Sequence, residues 1–402
     1  MTTLMKDSGI DWIGKIPEEW RIKRVKDIFN IGRGVVIAAS ELKKEPDEKN
    51  IYPVYSSATE KNGVIGYLED YKFDEDLITW TTDGVNAGTI FKRSGKFNCT
   101  NVCGTLKAKE KKKINLNYFK FMLISQTRFY KRPDINGAKI MNNEMARIIV
   151  SVPPLETQKK IADYLDVEVS LLDKQVSLLE RKYALLGDYK DALIFETVTQ
   201  GLDKAVPMKD SGIDWIGEIP EGWKVKRLKE ISVLKKGEVF NSEKSKKDGL
   251  YPYINGGINP SDYSDEYNVL ENNIAVSEGG ASAGYSQFVK TKFWAGSHCY
   301  VIKPKNGNIK KYMYYILKGF SGQIMFEKTG SAMPNLQKTK FSNFLVSFVE
   351  NLETQQKIAD YLDVEVEKLD KQRELIKRKV ELLKEYKEAL IFEVVTGKKE
   401  VK

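Results

Sequence analysis

Three cysteines, Cys99, Cys103 and Cys299, and a single histidine, His298, are the most reactive side chains in this sequence, and their spacing supports little chemistry. There is no Cys-x-x-Cys pair, and these four residues cannot furnish two four-ligand zinc sites. The cysteines read as buried thiols of a protein in a reducing cytosol. His298 lies beside Cys299 in a strand-like run with no second catalytic signal, so it reads as a structural or contact residue. A phosphate-binding GxxxxGK(S/T) loop is absent, which removes the usual ATP motor. The (D/N/S)PP(Y/F/W) signature of amino-methyltransferases is absent as well. Its nearest counterpart, Val152-Pro153-Pro154-Leu155, lacks the polar first and aromatic last residue and is better explained as a breaker before a helix. Pro46-Asp47 and Pro133-Asp134 give no nuclease pattern on a convincing strand. What remains is recognition by hydrogen-bonding side chains held in loops.

The frame that must hold those loops is written twice. Residues 5–28 and 208–231 match at 18 of 24 positions, at an offset of 203. Residues 155–199 and 352–396 match at 32 of 45, at an offset of 197. Between each head and tail lies a stretch of similar length, 29–154 or 232–351, with little overall identity. Alike frames with unlike contents predict two modules that use equivalent surfaces and meet different targets. A length of 402 residues suits two or three domains, and 41% hydrophobic content is globular. No apolar run reaches the roughly 18 residues of a membrane span, and the start lacks the apolar core of a signal peptide.

The tails predict long paired helices. Pro153 and Pro154 precede the first, after which Leu165, Leu172, Leu179, Leu186 and Leu193 recur every seven residues. The second gives Leu362, Leu369, Ile376, Leu383 and Leu390. Companion positions hold Val169, Val176, Tyr183 and Lys190, then Val366, Arg373, Val380 and Lys387. A seven-residue step sustained this long predicts a coiled-coil seam, and about 40 residues make a rod of roughly 60 Å. Antiparallel pairing within the chain is expected, with Lys and Arg weakening the seam locally. Gly201 stops the first helix and Pro207 precedes the second head, leaving a short linker at 201–207.

The variable stretches share a skeleton. Gly84, Ala87, Gly88, Phe97 and Cys103 match Gly280, Ala283, Gly284, Phe293 and Cys299 at an offset of 196. Strands are expected at 77–81, 88–91, 274–277 and 299–302, and helices at 117–125 and 311–319. The glycines read chiefly as tight turns. Net charge is +9, yet residues 155–200 carry −3 and 352–402 carry none, so the heads and variable stretches hold the basic excess. A basic module invites a polyanion.

The heads, the stretch VPPLETQKKIADYLD and their second copies resemble the specificity subunit of Type I restriction–modification systems over essentially the whole chain. In one departure, Glu350-Asn351 stands where the second tail of that family has a Pro-Pro pair. The resemblance implies an α+β fold: two mixed α/β target-recognition domains joined by two long antiparallel coiled-coil helices with an internal pseudo-two-fold repeat. It places target recognition in 1–154 and 208–351, conserved helices in 155–200 and 352–402, and the linker in 201–207. It implies a non-catalytic, cytoplasmic subunit without cofactor that binds double-stranded DNA at an asymmetric two-part site. Two methyltransferase subunits using S-adenosylmethionine would dock on the helical core, and two restriction subunits using ATP and Mg2+ can join. The core would act as a ruler between half-sites. Candidate DNA contacts in the first domain are Ser56, Ser57, Lys61, Asn62, Thr82, Asn86, Lys139, Asn142 and Asn143. Those in the second are Asn255, Asn259, Glu278, Ser282, Lys328, Ser331 and Asn335. Asn suits adenine edges, Lys guanine or phosphate, and Glu a cytosine amino group. The rival expectation is a coiled-coil scaffold with two ligand-binding heads and no DNA role.

Overall fold

The computed structural model of the chain describes residues 4–135, 137–326 and 335–401. The chain divides into two compact units, Met1–Leu179 with Arg378–Lys402, and Glu180–Lys377. Each unit holds one head, one variable region and portions of both long helices, Leu155–Gln200 and Leu352–Val395.

In the first unit an antiparallel sheet runs in the order Ile90–Arg93, Leu77–Thr81, Cys103–Ala108, Phe29–Arg33. Leu77–Thr81 is buried along its whole length, as a β-branched and aromatic run covered on both faces should be. The helix Leu116–Gln126, capped by the Asn115 side chain, covers the sheet with Phe119 and Met122. A second sheet has the order Val64–Leu68, Tyr52–Tyr55, Lys96–Cys99, Phe73–Asp74. The second unit repeats the plan with Ser232–Lys236, Cys299–Pro304, Asn273–Ser277 and Ser286–Val289, covered by Lys310–Gly319. The strand expected at 88–91 begins only at Ile90. Gly88 still belongs to the turn, its amide donating to Thr81 O at 2.8 Å.

Within each unit the long helices pair antiparallel. In the first, Ser151 Oγ, just before the start of one helix, donates to Val395 O at the end of the other (2.8 Å). In the second, Ser347 Oγ donates to Val198 O (2.7 Å). The seam leucines enter the cores: Leu165, Leu172, Leu383 and Leu390 in the first unit, Leu193 and Leu362 in the second. The lysines at companion positions are matched rather than merely tolerated. Lys387 pairs with Asp173 at 2.6 Å in the first unit, and Lys190 with Asp370 at 2.7 Å in the second. Arg373 lies over the Tyr183 ring at 4.2 Å and beside Gly187, where a longer side chain would meet the guanidinium. Both helices end on a glycine at positive φ, Gly201 (+74°) and Gly397 (+73°), against the head tryptophans Trp223 and Trp20.

The repeated LETQ and IADYLD strings have defined jobs. Gln158 is buried; its carbonyl accepts the Asn115 amide (2.9 Å) and its amide donates to Pro153 O (3.0 Å). Gln355 does the same with the Ile309 amide and Val349 O, at 2.9 and 2.8 Å. Asp166 pairs with Lys120, and Asp363 with Lys311. These contacts clamp the covering helix of each variable region to its long helix. They also resolve the departure at Glu350-Asn351. Val349 takes the role of Pro153, while Asn351 takes that of Pro154, accepting the Gln355 amide and capping the Thr354 amide. Glu350 is an extra residue between them.

Candidate nucleic-acid interface

The loop after the central strand has the same geometry in both units. In the first, Ala87 N donates to Gly84 O (3.1 Å), and Gly84 and Gly88 adopt φ of +87° and +81°. In the second, Gly284 N donates to Ser277 O (2.8 Å) and Ala283 N to Gly280 O (3.1 Å), with Gly280 and Gly284 at +75° and +88°. L side chains avoid these angles, so the matched glycines serve tight turns. Each loop is tied to a loop of the other sheet, the one that follows Tyr52–Tyr55 in the first unit and Tyr251–Ile254 in the second. Asn86 Nδ2 donates to Ser57 O at 2.9 Å, and the Ser282 hydroxyl donates to Gly256 O.

The first-domain candidates therefore gather at one end of the sheets. Ser56 Oγ accepts from Thr100 Oγ1 (2.9 Å). Lys61 and Asn62 occupy a left-handed turn, with Lys61 exposed and facing Glu45 at 3.5 Å. Lys139 lies on the strand Gly137–Lys139, which pairs with Asp83–Gly84, and its amine meets Asp134 at 3.1 Å. Asn142 and Asn143 open a short helix; Asn142 Nδ2 donates to Gly32 O at 3.4 Å, its buried Oδ1 is unpartnered, and Asn143 is exposed. Thr82 differs. It is fully buried, and its hydroxyl donates to Val102 O (3.0 Å).

In the second domain Asn255 Oδ1 accepts the His298 amide (3.1 Å), and Asn259 is exposed. Glu278 is buried; its carboxylate accepts from Lys236 (2.9 Å) and the Tyr300 hydroxyl (2.7 Å). Asn335 is exposed and bridges to Gly279. Lys328 and Ser331 lie outside the described residues. His298 is exposed beside this group.

Sequence reasoning overlooked two kinds of residue here. Arg93 is buried, stacked 3.6 Å from the Tyr55 ring, and donates to Asn62 O (2.8 Å) and Thr79 Oγ1 (3.2 Å). Burial pulls its pKa below the usual guanidinium value, with Tyr55 opposing. It positions the 60–63 turn, and nothing in its sequence context marks it as interior. The second kind is exposed aliphatic: Val85 (88%) between two loop candidates, Ile135 (100%), and the matched pair Val36 (83%) and Val239 (81%). A valine flanked by glycine and asparagine in a turn is the signal that was available.

The thiols are inert by position. Burial raises Cys99 to about 12 and Cys103 and Cys299 to about 11. Cys103 faces Tyr55 O and Cys299 faces Ile254 O, equivalent strand positions. Among the described residues no group of three or more His, Cys, Asp or Glu is placed to hold a metal, and no helix is long and apolar enough to cross a membrane.

Two copies of one loop-bearing α+β frame, each built on an antiparallel helix pair, define a modular recognition protein. A family model described as the Type I restriction modification DNA specificity domain matches residues 17–184 and 220–385, and the chain belongs to that family. It is 30% identical over 352 residues to S.MpnORF507P, an inferred type I specificity subunit of Mycoplasma pneumoniae, covering 85% of this chain and 88% of that one. It is 42% identical over 142 residues to the type I restriction enzyme MpnII specificity subunit of the same organism, covering 35% of this chain and 42% of that one. Two solved structures share the fold. One comes from work on complex assembly and conformational transition of the type I R-M system (TM-score 0.71, 14% identity, 95% of this chain and 99% of that one). The other is the S subunit from M. genitalium (TM-score 0.50, 17% identity, 94% and 96%). The chain is thus a DNA sequence-recognition subunit, non-catalytic as such specificity subunits are.

Proposed function

We propose that this subunit reads an asymmetric two-part site on double-stranded DNA, one half with 1–154 and the other with 208–351. The helices 155–200 and 352–402 and the linker 201–207 complete the frame. The observation that carries this reading is the repetition of one loop scaffold, bond for bond, with different side chains on it. The contacts proposed are the exposed and half-exposed loop candidates above. Val36, Val85 and Val239 join them, since an exposed aliphatic group can pack on a thymine methyl. Thr82 and Glu278 act from beneath by holding the loops.

Two methyltransferase subunits are the proposed partners. Beyond the buried seam, each long helix carries exposed apolar residues at matching positions: Leu178, Leu185 and Tyr189 on the first, Leu375, Leu382 and Tyr386 on the second. Two copies of one partner need two equivalent surfaces. S-adenosylmethionine would then belong to those partners, and ATP and Mg2+ to restriction subunits, with the assembly in the cytoplasm.

The test is genome-wide adenine methylation, read by single-molecule sequencing, after co-expression with the neighbouring methyltransferase in an unmethylated host. A new asymmetric two-part motif with a fixed spacer is expected. A soluble complex that adds no motif beyond the methyltransferase alone would favour the scaffold reading.

A further inference from the structure

A cleft of about 500 Å³ opens in the first unit beside the start of its long helix, lined by Arg21, Lys23, Lys109, Lys112 and Lys113, with Pro153 and Pro154 at its edge. Three acids also line it: Glu110 pairs with Lys113 (2.5 Å), Asp27 accepts the Arg24 amide (3.0 Å), and Glu19, exposed and matched by Gly222 in the second head, makes no ion pair with the lining cations. Arg21, Lys23 and Lys112 have no ion-pair partner among the described residues.

The second unit shows what the counterparts of the first two of these cations bind. Arg21 and Lys23 correspond to Lys224 and Lys226 in the repeated head. There the extra residue Glu350 places its carboxylate 2.8 Å from Lys224 and 3.3 Å from Lys226. The two ammonium groups hold that carboxyl below its ordinary range. In the first unit the junction runs from Pro153 directly to Pro154, with no residue to supply this group. The connection 109–115 further raises the positive charge with four lysines, where its shorter counterpart in the second unit, 305–309, has Lys305 alone.

We propose that this cleft is a carboxylate site, present once per chain, that takes an acidic segment of a partner protein. A protein carboxylate is favoured over a phosphate of the DNA target by position. The recognition loops leave the sheet at Thr81 and Cys103, whereas Lys109 follows the far end of the strand Cys103–Ala108. Roughly 20 Å of strand separates them. The site would give an otherwise doubled frame one unique attachment point.

The test is anisotropy of a fluorescein-labelled hexaglutamate peptide with the full-length protein at about 0.15 M salt, where nonspecific attraction is screened. One equivalent should bind, and the double substitution Arg21→Gln, Lys23→Gln should weaken it about tenfold, as loss of charge-assisted bonds predicts. Lys224→Gln with Lys226→Gln should leave it unchanged. Glu350→Gln is the gain-of-binding variant and should raise the stoichiometry toward two. No saturable binding, binding indifferent to Arg21 and Lys23, or a stoichiometry that stays at one in E350Q would overturn the proposal. So would an equal loss of duplex-DNA affinity in R21Q/K23Q, which would make the cleft a phosphate site. Because the peptide is read without DNA, the result does not depend on the two-part target.

Discussion

At the base of the recognition loops the two units meet one requirement with different residues. In both, the backbone forms the same bonds: Ile140 N donates to Thr82 O (2.8 Å), and Leu336 N donates to Glu278 O (2.7 Å). The carbonyl of Ile140 or Leu336 then needs a donor. In the first unit the Trp80 indole supplies it at 2.8 Å, and Gly104 opposite leaves room for the ring, since any Cβ there would lie 2.1 Å from it. In the second unit the equivalent residues are Val276 and Tyr300. The Tyr300 hydroxyl lies 3.4 Å from Leu336 O and donates to Glu278, which Lys236 also holds. Burial and the Glu278 carboxylate push that phenol well above its usual range. One base is aromatic and neutral, the other charged. Two variable regions can therefore keep their backbone bonds while volume and charge pass from one strand to its neighbour.

Four measurements would break or sharpen this comparison. The largest effect is expected in alkali, because the first unit buries two thiols and the second one. Their folded pKa values are raised from 9.0 to about 12 and 11 in the first unit and about 11 in the second. Their stabilising contribution is complete below pH 9 and is lost as pH rises through 9 toward 11–12. By pH 11 the thiols alone should cost the first unit on the order of 4 kcal/mol, about twice their cost to the second, where the buried phenols Tyr300, Tyr312, Tyr314 and Tyr315 add a loss of their own. Hydrogen exchange resolved by unit, compared with that of the Cys99→Ala/Cys103→Ala and Cys299→Ala variants, isolates the thiol share, and equal shares in the two units would remove the thiols as the cause.

Gly104→Tyr alone should destabilise the first unit by about 3 kcal/mol, since the ring has nowhere to go. Combined with Trp80→Val it should cost about 2 kcal/mol less than the sum of the single changes. Strict additivity in denaturant melts would mean that the two bases are not interchangeable solutions. Arg93→Leu imitates Val289 of the second unit and should cost about 2 kcal/mol through lost charged hydrogen bonds. Faster amide exchange in the 60–63 turn should accompany it, whereas an unaltered turn would place its order elsewhere. Smallest are the matched pairs Asp173–Lys387 and Lys190–Asp370. Each should give a coupling of about 0.5 kcal/mol in a double-mutant cycle, as exposed pairs do. A clear inequality would show that the seam is not equivalent in the two units.

Much of the fold was legible because its signals are local. The seven-residue step marks Leu165 and Leu362 as interior, and glycines at 84, 88, 280 and 284 announce turns that only they tolerate easily. Polarity marks the loop candidates, and polarity does not report depth. Thr82 and Glu278 are as polar as Asn143 and Asn259, yet the former pair is buried and bonded while the latter is exposed. Arg93 was missed for the converse reason, since a cation on a strand normally faces water.

The sequence by itself determined that the protein is doubled, that its tails are helices with an apolar seam, and that its cysteines have no partners for chemistry. Those properties follow from repetition, periodicity and spacing along the chain. Only the tertiary structure decided that each unit takes portions of both long helices, that Trp80 and Tyr300 serve one carbonyl from different strands, and that Glu350 is an added carboxylate over Lys224 and Lys226. Each of these depends on which distant residues share a contact. That pairing is fixed by strand register and close packing across the core, not by the order of neighbours in the chain.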